Sequence, residues 1–227
     1  MAETFEVKII ARIHSDFPSK FGIPRQSGLV ENLQSLIVFE PEYRNPQALR
    51  GLEDFSHLWL IWQFSKAVRE DWSPTVRPPK LGGNTRMGVF ATRSPFRPNP
   101  IGLSSVKLEA IENHPKYGMV LHVSGADLMD GTPILDIKPY LAYTDSHPQA
   151  KGGFTDELHL NPLTVIIPDE CKQKIPQDKL EALIGVLGHD PRPSYQDDPD
   201  RVYGFFFGGM EVCFTVCEHT LTVCEIR

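Results

Sequence analysis

The sequence is poor in the features that would place it in a membrane or outside the cell. None of its apolar runs approaches the roughly 18 residues that a membrane-spanning helix needs. Its N-terminal residues show no basic segment followed by an apolar one, which predicts that a secretory signal is absent and that the protein is cytoplasmic. Cysteine is scarce, and the four cysteines all lie late in the chain, at Cys171, Cys213, Cys217 and Cys224. Because the chain is neither short nor secreted, reduced thiols are a better interpretation than a disulfide framework.

The phosphate-binding loops of the common nucleotide-binding folds are also missing. No Gly-x-Gly-x-x-Gly lies between a predicted strand and a predicted helix, and there is no Walker phosphate loop. Gly82 and Gly83 are adjacent, but they lie within a proline-rich loop. These absences argue against a doubly wound nucleotide-binding sheet.

Acidic residues are absent from one stretch of a chain that is acidic as a whole. The net charge is −6, yet residues 72–108 contain no Asp or Glu. The basic residues of this stretch are Arg77, Lys80, Arg86, Arg93, Arg97 and Lys107. A local cationic patch on an acidic body suits the binding of phosphate in one place. The alternative is that these are ordinary surface residues.

Short strands dominate the first two thirds of the predicted structure. Alternating apolar residues predict a strand over residues 5–9, with Ile13 continuing the phase. Asn45 followed by Pro46 predicts the start of a short helix over residues 47–55. Residues 57–64 are apolar at nearly every position, as expected of a strand covered on both faces. Loops rich in proline and glycine separate further predicted strands at 35–39, 87–91, 103–111, 119–123 and 134–137.

This pattern favours a mainly β fold, with a closed or nearly closed antiparallel barrel over residues 1–150. After a predicted linker, one amphipathic helix is expected over residues 176–187. Its apolar stripe consists of Leu180, Leu183, Ile184 and Leu187, and Gly188 is expected to cap its C-terminus. Three strands are predicted to follow, at 202–207, 211–216 and 221–226. Residues 151–227 are therefore predicted to form a small α+β C-terminal domain.

Three predicted loops stand out by an unusual density of proline, glycine, arginine and asparagine: residues 24–26, 91–102 and 127–133. Proline restricts the backbone, so such loops lose less entropy when they order around a ligand. Rigid loops carrying guanidinium and amide groups on a barrel rim are a sensible place for a binding site. The loops alone specify no reaction.

Together with residues 51–59, 77–84 and 136–140, these loops resemble the TsaA/TrmO family of tRNA methyltransferases. The resemblance runs nearly continuously from residue 5 to 145, and residues 190–195 (Asp-Pro-Arg-Pro-Ser-Tyr) resemble a motif of the family's C-terminal region. It implies a β-barrel methyltransferase outside the Rossmann class, a homodimer, and S-adenosylmethionine as the cofactor. The implied substrate is a tRNA, expected to be a threonine tRNA, whose adenosine at position 37 beside the anticodon already carries a threonylcarbamoyl group.

The resemblance also implies which residues bind the cofactor. Arg25 is expected to be a charge partner, and Arg93 is a second candidate for the cofactor's carboxylate, because a guanidinium matches a carboxylate with two hydrogen bonds. Leu103 is expected to pack on the adenine, and residues 127–130 are expected to wrap the ribose or face the sulfonium. The full expected set is Pro24, Arg25, Gln26, Ser65, Lys66, Arg93, Leu103, Asp127, Leu128, Met129 and Asp130.

For the RNA, the expected phosphate contacts are Arg77, Lys80, Arg86 and Arg97, with Asn99 near the base. Ser65 and Lys66 depart from the family's side-chain pattern, so the resemblance implies only main-chain contacts there. No residue is assigned a catalytic role. Catalysis is expected to rest on positioning by the rim loops, without a covalent intermediate.

Plainer interpretations exist for several of these residues. Arg25 suits a solvated loop and Arg93 a surface ion pair, while Asp127 and Asp130 are residues that often form turns. His57 is more often a hydrogen-bonded core residue than a catalytic base.

The Cys213, Cys217, His219 and Cys224 set raises a zinc hypothesis, but no Cys-x-x-Cys is present, so small core residues are the better interpretation. For the whole chain, the alternatives to an enzyme are a non-catalytic cofactor- or RNA-binding module and a metal-dependent redox or regulatory protein.

Overall fold

The computed structural model describes residues 3–67, 71–78, 85–156, 161–192 and 198–227. The strands are β1 (Ala11–His14), β2 (Gln34–Phe39), β3 (His57–Gln63), β4 (Thr75–Val76), β5 (Met87–Gly88), β6 (Ile101–His114), β7 (Gly118–Ser124), β8 (Pro133–Pro139), β9 (Thr164–Ile166), β10 (Tyr203–Phe207), β11 (Met210–Cys217) and β12 (Thr220–Ile226). The α-helices are α1 (Ala142–Asp145), α2 (Asp169–Lys172) and α3 (Gln177–Gly188). Short 3-10 helices lie at Pro41–Tyr43, Pro46–Leu49, Leu52–Asp54, Val89–Ala91 and Gly153–Thr155. Within these ranges no helix combines the length and the apolar character that crossing a membrane requires.

Six strands form one closed sheet with the hydrogen-bonded order β1-β2-β7-β6-β3-β8. Each adjacent pair is antiparallel, and β8 returns to β1 through the pairing of Ala11 with Ile134 and of Arg12 with Pro133. Strand β6 is the longest and pairs with both β3 and β7. The predicted mainly β class, with a C-terminal part that mixes helix and strand, is confirmed.

Strand β3 shows how side-chain alternation builds the interior of this sheet. Leu58 and Leu60 are fully buried and Trp62 is nearly so, whereas the intervening residues are partly exposed. The prediction that this strand is covered on both faces is wrong, because only its inward face meets the core. Its outward face carries large apolar residues that are half-buried.

The first predicted strand is displaced along the chain. Residues 5–9 form no strand, and Phe5 and Val7 are exposed. Sheet bonding begins where the Ile10 amide donates to the Ile134 carbonyl at 2.9 Å. Because Ala11 already pairs with Phe39 at the end of β2, the preceding residues have no β2 strand residue beside them.

Two other predicted elements are divided into shorter pieces. The Asn45 side chain accepts a hydrogen bond from the Gln47 amide at 3.0 Å, which confirms the predicted N-cap. The helix predicted over residues 47–55 is nevertheless two 3-10 turns, because Gly51 takes a left-handed φ of 83° between them. The strand predicted over residues 87–91 stops at Gly88 because its partner, β4, has only two residues, and a 3-10 turn follows.

The C-terminal part has a four-stranded sheet with the order β10-β11-β12-β9, covered by α3. The predicted helix and the three predicted strands are confirmed with small changes at their ends. The prediction that Gly188 caps the helix is wrong, because the helix continues through Gly188 and His189 is its C-cap. The buried face of α3 is rotated relative to the predicted stripe, since Leu183 and Leu187 are fully buried but Ile184 is exposed, and Ala182 and Val186 are buried in its place. Strand β9, which pairs in parallel with β12, was not predicted because three residues carry too little pattern.

Two hydrophobic cores result. One fills the closed sheet, and the other lies between α3 and the four-stranded sheet. The second core also contains Phe17, Val30 and Leu33, which come from the segment between β1 and β2. Residues 16–33, called here the bridging segment, therefore pack against the C-terminal half although they precede it by more than a hundred residues.

Candidate functional site

A cleft of about 840 Å³ opens beside strands β3 and β6, and four loops surround it. Its lining comes from the bridging segment, from the end of β3 and the turn after it, from the Pro-rich loop before β6, and from the loop after β7. This volume lies within the 300–1,000 Å³ typical of small-molecule sites. The three loops that stood out in the sequence therefore converge on one cavity.

Most of the residues expected to bind the cofactor line this cleft: Pro24, Arg25, Gln26, Ser65, Lys66, Arg93, Leu103, Asp127 and Met129. Leu128 and Asp130 do not. Leu128 is buried in the core of the closed sheet. Asp130 turns away and accepts hydrogen bonds from the Ser15 amide and the His14 ring at 3.2 Å each. Successive side chains of this loop point in alternating directions, so Asp127 and Met129 line the cleft while Leu128 and Asp130 point away from it.

A partly buried carboxylate, Asp127, forms one wall of the cleft. Asp127 Oδ1 accepts a hydrogen bond from the Ser104 hydroxyl at 2.5 Å, and the Ser104 oxygen accepts one from the Trp62 indole at 3.0 Å. Burial raises the pKa of Asp127, while Ser104, the local backbone amides and the Arg93 charge oppose that rise. These two hydrogen bonds, called here the Trp62–Ser104–Asp127 relay, hold the Asp127 carboxylate in place through Oδ1. The other carboxylate oxygen is not bonded to Ser104.

Cationic groups lie on another wall. The Arg93 guanidinium donates to the Gln26 side-chain oxygen, which ties the Pro-rich loop to the bridging segment. The Gln26 amide nitrogen donates in turn to the Arg25 carbonyl at 2.5 Å. The Arg25 side chain is exposed and makes no ion pair within the described part of the chain. Both guanidinium groups are thus available to an anionic ligand group.

Strand β6 presents an apolar floor. Ile101 and Leu103 alternate with the inward-facing Gly102 and Ser104, and both apolar side chains remain exposed in the cleft. A Cβ placed on Gly102 would come within 2.3 Å of the Trp62 ring, so only glycine lets the indole lie against this strand. Trp62 also contacts Phe64, with ring centroids 4.2 Å apart.

The turn after β3 holds Ser65 and Lys66 at the edge of the cleft. The Phe64 amide donates to the Pro100 carbonyl at 2.9 Å, which joins this turn to the loop before β6. Ser65 and Lys66 are both exposed, and Ala67 closes the turn by donating to the Phe64 carbonyl at 3.1 Å. Their expected main-chain role is compatible with this position.

The residues expected to contact RNA are spread over a wider surface. Arg97 lines the cleft, and its guanidinium donates to the Thr92 carbonyl at 3.2 Å. Arg77 and Arg86 are exposed at one end of the β4–β5 pair, outside the cleft, and Asn99 is exposed on the Pro-rich loop. Lys80 lies outside the described residues.

His57 and the cysteines occupy places that differ in part from those expected. His57 is exposed at the start of β3, with its ring 2.9 Å from the Ser56 hydroxyl, so the prediction of a core histidine is wrong. Cys213 is buried, but Cys217 and Cys224 are exposed because they fall on the outer face of their strands. All four cysteines are free thiols, and no group of three or more potential metal ligands occurs among the described residues.

Ser104 and Trp62 are functional candidates that sequence reasoning missed. Each lies on a buried phase of its strand, where a polar atom needs a partner. The available signal was a serine at an inward position of β6, two residues beyond the Gly102 that pairs with Trp62 of the neighbouring β3. The importance of Ser104 depends on its hydrogen bond to Asp127, and the two residues come close together only in the folded chain.

The described part of the C-terminal motif, residues 190–192, contains a local ion pair, and residues 193–195 lie outside the described part of the chain. Asp190 has a φ of 51°, and its carboxylate accepts two hydrogen bonds from the Arg192 guanidinium at 2.9 and 3.0 Å. The neighbouring His189 ring is 2.9 Å from the Leu29 carbonyl of the bridging segment. The end of α3 is thus connected to the segment that carries Arg25.

Comparison with known families finds two matching family models. The tRNA-methyltransferase O N-terminal domain matches residues 12–146, and the TrmO C-terminal domain matches residues 161–227. The resemblance inferred from the sequence motifs is confirmed by these matches.

Individual relatives agree with the family models. A tRNA (adenine(37)-N6)-methyltransferase of Escherichia coli is 39% identical over 95% of this chain and 94% of its own. A putative S-adenosylmethionine-dependent methyltransferase, RcsF, of Pseudomonas aeruginosa is 39% identical over 92% of this chain and 91% of its own. A crystal structure of TrmO from P. aeruginosa superimposes with a TM-score of 0.79 at 33% identity, covering 99% of this chain and 100% of that one. The likeness therefore includes sequence and fold and spans both halves of the molecule.

Proposed function

The chain belongs to the TrmO family of tRNA methyltransferases, and we propose that it transfers a methyl group from S-adenosylmethionine to the exocyclic amine of adenosine 37 in tRNA. The observation that carries this proposal is the cleft itself. It places a partly buried carboxylate, two guanidinium groups and an apolar floor around one cavity. This set of groups matches a ligand that is at once a cation, a carboxylate and a purine.

The cofactor's parts have counterparts among the cleft residues. We propose that Asp127 faces the sulfonium, because a fixed carboxylate in a poorly solvated wall attracts a cation strongly. Arg25 and Arg93 are suited to the carboxylate, and Leu103 and Ile101 offer apolar surface to the adenine. Gln26 aligns Arg93 by hydrogen bonding, so the two cofactor loops act together.

Bound S-adenosylmethionine supplies an electrophilic methyl group. The chain's residues contribute binding, orientation and exclusion of water, since adenine's exocyclic nitrogen is a weak nucleophile whose lone pair is delocalised into the ring. Correct orientation of two reactants is worth up to about 7–11 kcal/mol in favourable cases. The Trp62–Ser104–Asp127 relay and the Gln26–Arg93 bond keep the walls of the cleft in fixed geometry before any ligand arrives.

We propose that RNA approaches over the cationic surface. Arg97 lines the cleft, while Arg77 and Arg86 lie exposed outside it. We assign these three arginines, with Lys80, to phosphates, and Asn99 to the neighbourhood of the base. The lack of acidic residues throughout residues 72–108 supports this assignment, because no like charge on that stretch repels the phosphates.

Several finer points belong to the same proposal. We propose that the adenosine carries a threonylcarbamoyl group, that the tRNA is a threonine tRNA, and that the enzyme works as a cytoplasmic homodimer. We propose that the closed six-stranded sheet is the catalytic barrel, with residues 1–150 as its domain and residues 151–227 as the C-terminal domain. The two separate hydrophobic cores support that division, although the bridging segment packs with the second core.

The test is methyl transfer from radiolabelled cofactor to purified tRNA. Bulk tRNA that carries threonylcarbamoyl-adenosine is expected to accept label, and tRNA from cells unable to make that nucleoside is not. Mass spectrometry of the digested nucleosides then locates the methyl group. Equal labelling of both tRNA pools would reject the threonylcarbamoyl group as a requirement. A protein that binds cofactor and tRNA but transfers no methyl group would favour the non-catalytic binding module instead.

A further inference from the structure

Two large aromatic side chains lie exposed and stacked beside the cleft. Trp72 is 50% exposed and Phe90 is 73% exposed. Their ring centroids are 6.2 Å apart with an angle of 27° between the ring planes. Neither residue belongs to a hydrophobic core. Exposed aromatic surface of this kind commonly marks a site of interaction, and we call this pair the aromatic platform.

The backbone beneath the aromatic platform is well anchored. Val89 is 1% exposed, and its amide donates to the Pro74 carbonyl at 3.0 Å, which joins the two chain segments that carry the rings. The Thr92 hydroxyl donates to the Val89 carbonyl at 2.9 Å and closes the 3-10 turn that presents Phe90. The rings are therefore held in place before a partner binds, which lowers the entropy lost on binding.

The platform lies between the cleft and a pair of arginines. Thr92 and Arg93 line the cleft, and the Phe90 and Thr92 Cα atoms are no more than about 8 Å apart along the chain. In the β4–β5 pair, Val76 is opposite Met87. Arg77 comes directly after Val76 and Arg86 directly before Met87, so both arginines lie at the same end of the pair. The aromatic platform extends from the opposite end of this pair.

We infer that the aromatic platform stacks against an unpaired base of the RNA substrate beside the target nucleotide, while Arg77 and Arg86 contact the phosphates of the same strand. This inference rests on the proposed function, which makes RNA the substrate. Aromatic rings bind unstacked bases through their faces, and nearby arginines contribute phosphate contacts, as in many proteins that bind single strands. Such stacking tolerates any base, so the aromatic platform positions the loop without reading its sequence.

Charge favours RNA over a second copy of this chain as the occupant. In a two-fold symmetric contact, the same patch faces itself. Such a contact centred here would bring Arg77 and Arg86 close to their own equivalents, in a stretch without acidic residues. A phosphate backbone instead supplies the opposite charge along the whole surface.

The experiment measures binding of a fluorescently labelled anticodon stem-loop RNA by anisotropy, using the full chain. Stacking on one aromatic side chain is worth enough that Phe90→Ala is expected to weaken RNA binding by roughly 5- to 100-fold. Phe90→Leu, which keeps apolar bulk but has no ring face, is expected to lose most of the same affinity. Tyr143→Ala is the matched control, because Tyr143 is an aromatic residue 88% exposed elsewhere on the surface. Its RNA affinity is expected to equal that of the wild type.

Two further measurements separate the possible outcomes. Cofactor affinity, measured by calorimetry, is expected to be unchanged in Phe90→Ala. An unchanged cofactor affinity would show that the variant is folded and that its cleft is intact. If RNA affinity is unchanged in Phe90→Ala and the wild-type protein transfers methyl groups, the inference that the aromatic platform binds RNA is rejected. The proposed function is not affected by that result. Absence of methyl transfer in the wild type would instead overturn the proposed function. Loss of self-association in sedimentation, without loss of RNA affinity, would identify the platform as a contact between protein chains and reject the inference.

Discussion

At the scale of single residues, Asp127 combines partial burial with a place beside the guanidinium groups of the cleft. Its carboxylate lies in the cleft wall, accepts a hydrogen bond from Ser104, and has a pKa raised above the ordinary value by burial. A raised pKa in a cleft is a common sign of a functional group, although buried structural carboxylates show it too. The convergence of three loops on the cavity that Asp127 lines makes ligand binding the better explanation here.

The first prediction concerns the charge on Asp127. We expect cofactor affinity to rise as pH increases through the raised pKa of this carboxyl, because only the ionised form attracts a sulfonium. Asp127→Asn has nearly the same shape without the charge, so its affinity is expected to be lower and to lack that pH dependence. Calorimetry over a pH series compares the two proteins. Parallel pH profiles would show that another group causes the effect.

The same substitution has a consequence for stability. Because the folded-state pKa lies above that of the unfolded chain, ionisation of Asp127 favours unfolding. The stability that this carboxyl provides in its protonated form is therefore present at low pH and is lost as pH rises through the raised pKa. Above that pKa, Asp127→Asn is expected to unfold at a temperature equal to or higher than the wild type. A clearly lower unfolding temperature would mean that the charge serves the fold rather than the ligand.

At the scale of elements, the bridging segment connects the cleft to the C-terminal half. It carries Arg25 and Gln26, yet its ends are held by α3 and the adjacent sheet. The Lys179 ammonium contacts both Asp16 carboxylate oxygens at 2.7 and 2.8 Å, and the Asp16 carbonyl accepts a bond from the Gly208 amide at 2.9 Å. Helix α3 therefore sets the position of a loop that lies some distance from it.

The second prediction follows from this ion pair. The Asp16 and Lys179 side chains are only 13% and 25% exposed, so Lys179→Met leaves a mostly buried carboxylate without its partner. Loss of a fully buried partner costs about 3–5 kcal/mol, and partial exposure reduces this to about 2 kcal/mol. We expect urea unfolding to show that loss, together with weaker cofactor binding as Arg25 and Gln26 shift. Lys172→Met on the neighbouring α2, where the lysine is exposed, is the control and is expected to change neither property.

The success of sequence reasoning also depended on the kind of element. Strands β2, β6, β7 and β10–β12 were predicted because alternation and turn residues both mark them. The prediction of a strand at residues 5–9 was wrong. These residues alternate as a strand does, but they precede Ala11, which already pairs with the last residue of β2. The break at Gly51 was missed because helix propensity does not report a left-handed backbone.

For the candidate site, the loops were identifiable and their interior connections were not. The density of proline, glycine, arginine and asparagine indicated residues 24–26, 91–102 and 127–133. By contrast, the roles of Ser104 and Trp62 depend on strand register, because they reach Asp127 only when β3 and β6 pair as observed. The separation of Leu128 and Asp130 from the cleft likewise follows from local backbone geometry that composition does not contain.

At the scale of the whole molecule, charge is distributed unevenly. The net charge of −6 would disfavour RNA if it were spread uniformly, but residues 72–108 contribute only positive charges. An RNA molecule approaching from other directions is repelled by the acidic remainder. The distribution therefore restricts the orientation of the complex as well as its strength.

The third prediction is a steep dependence of RNA affinity on salt. Each neutralised phosphate releases counterions, so the slope of log affinity against log salt is about −0.7 to −0.9 per contact. Arg86→Gln is expected to reduce the magnitude of that slope by about one contact. Lys172→Gln, a surface change of equal charge in the C-terminal half, is expected to leave the slope unchanged. An identical slope in both variants would show that Arg86 does not contact an RNA phosphate.

The bridging segment also defines how the polypeptide can be divided. A fragment ending near residue 150 would keep all six strands of the closed sheet, yet Phe17, Val30 and Leu33 would lose the apolar surface that covers them. Three large side chains would then face solvent within the stretch that supplies Arg25. A truncated protein would consequently need replacement of those side chains by polar ones to stay in solution, and the segment that carries Arg25 would still lack the packing that the C-terminal half provides.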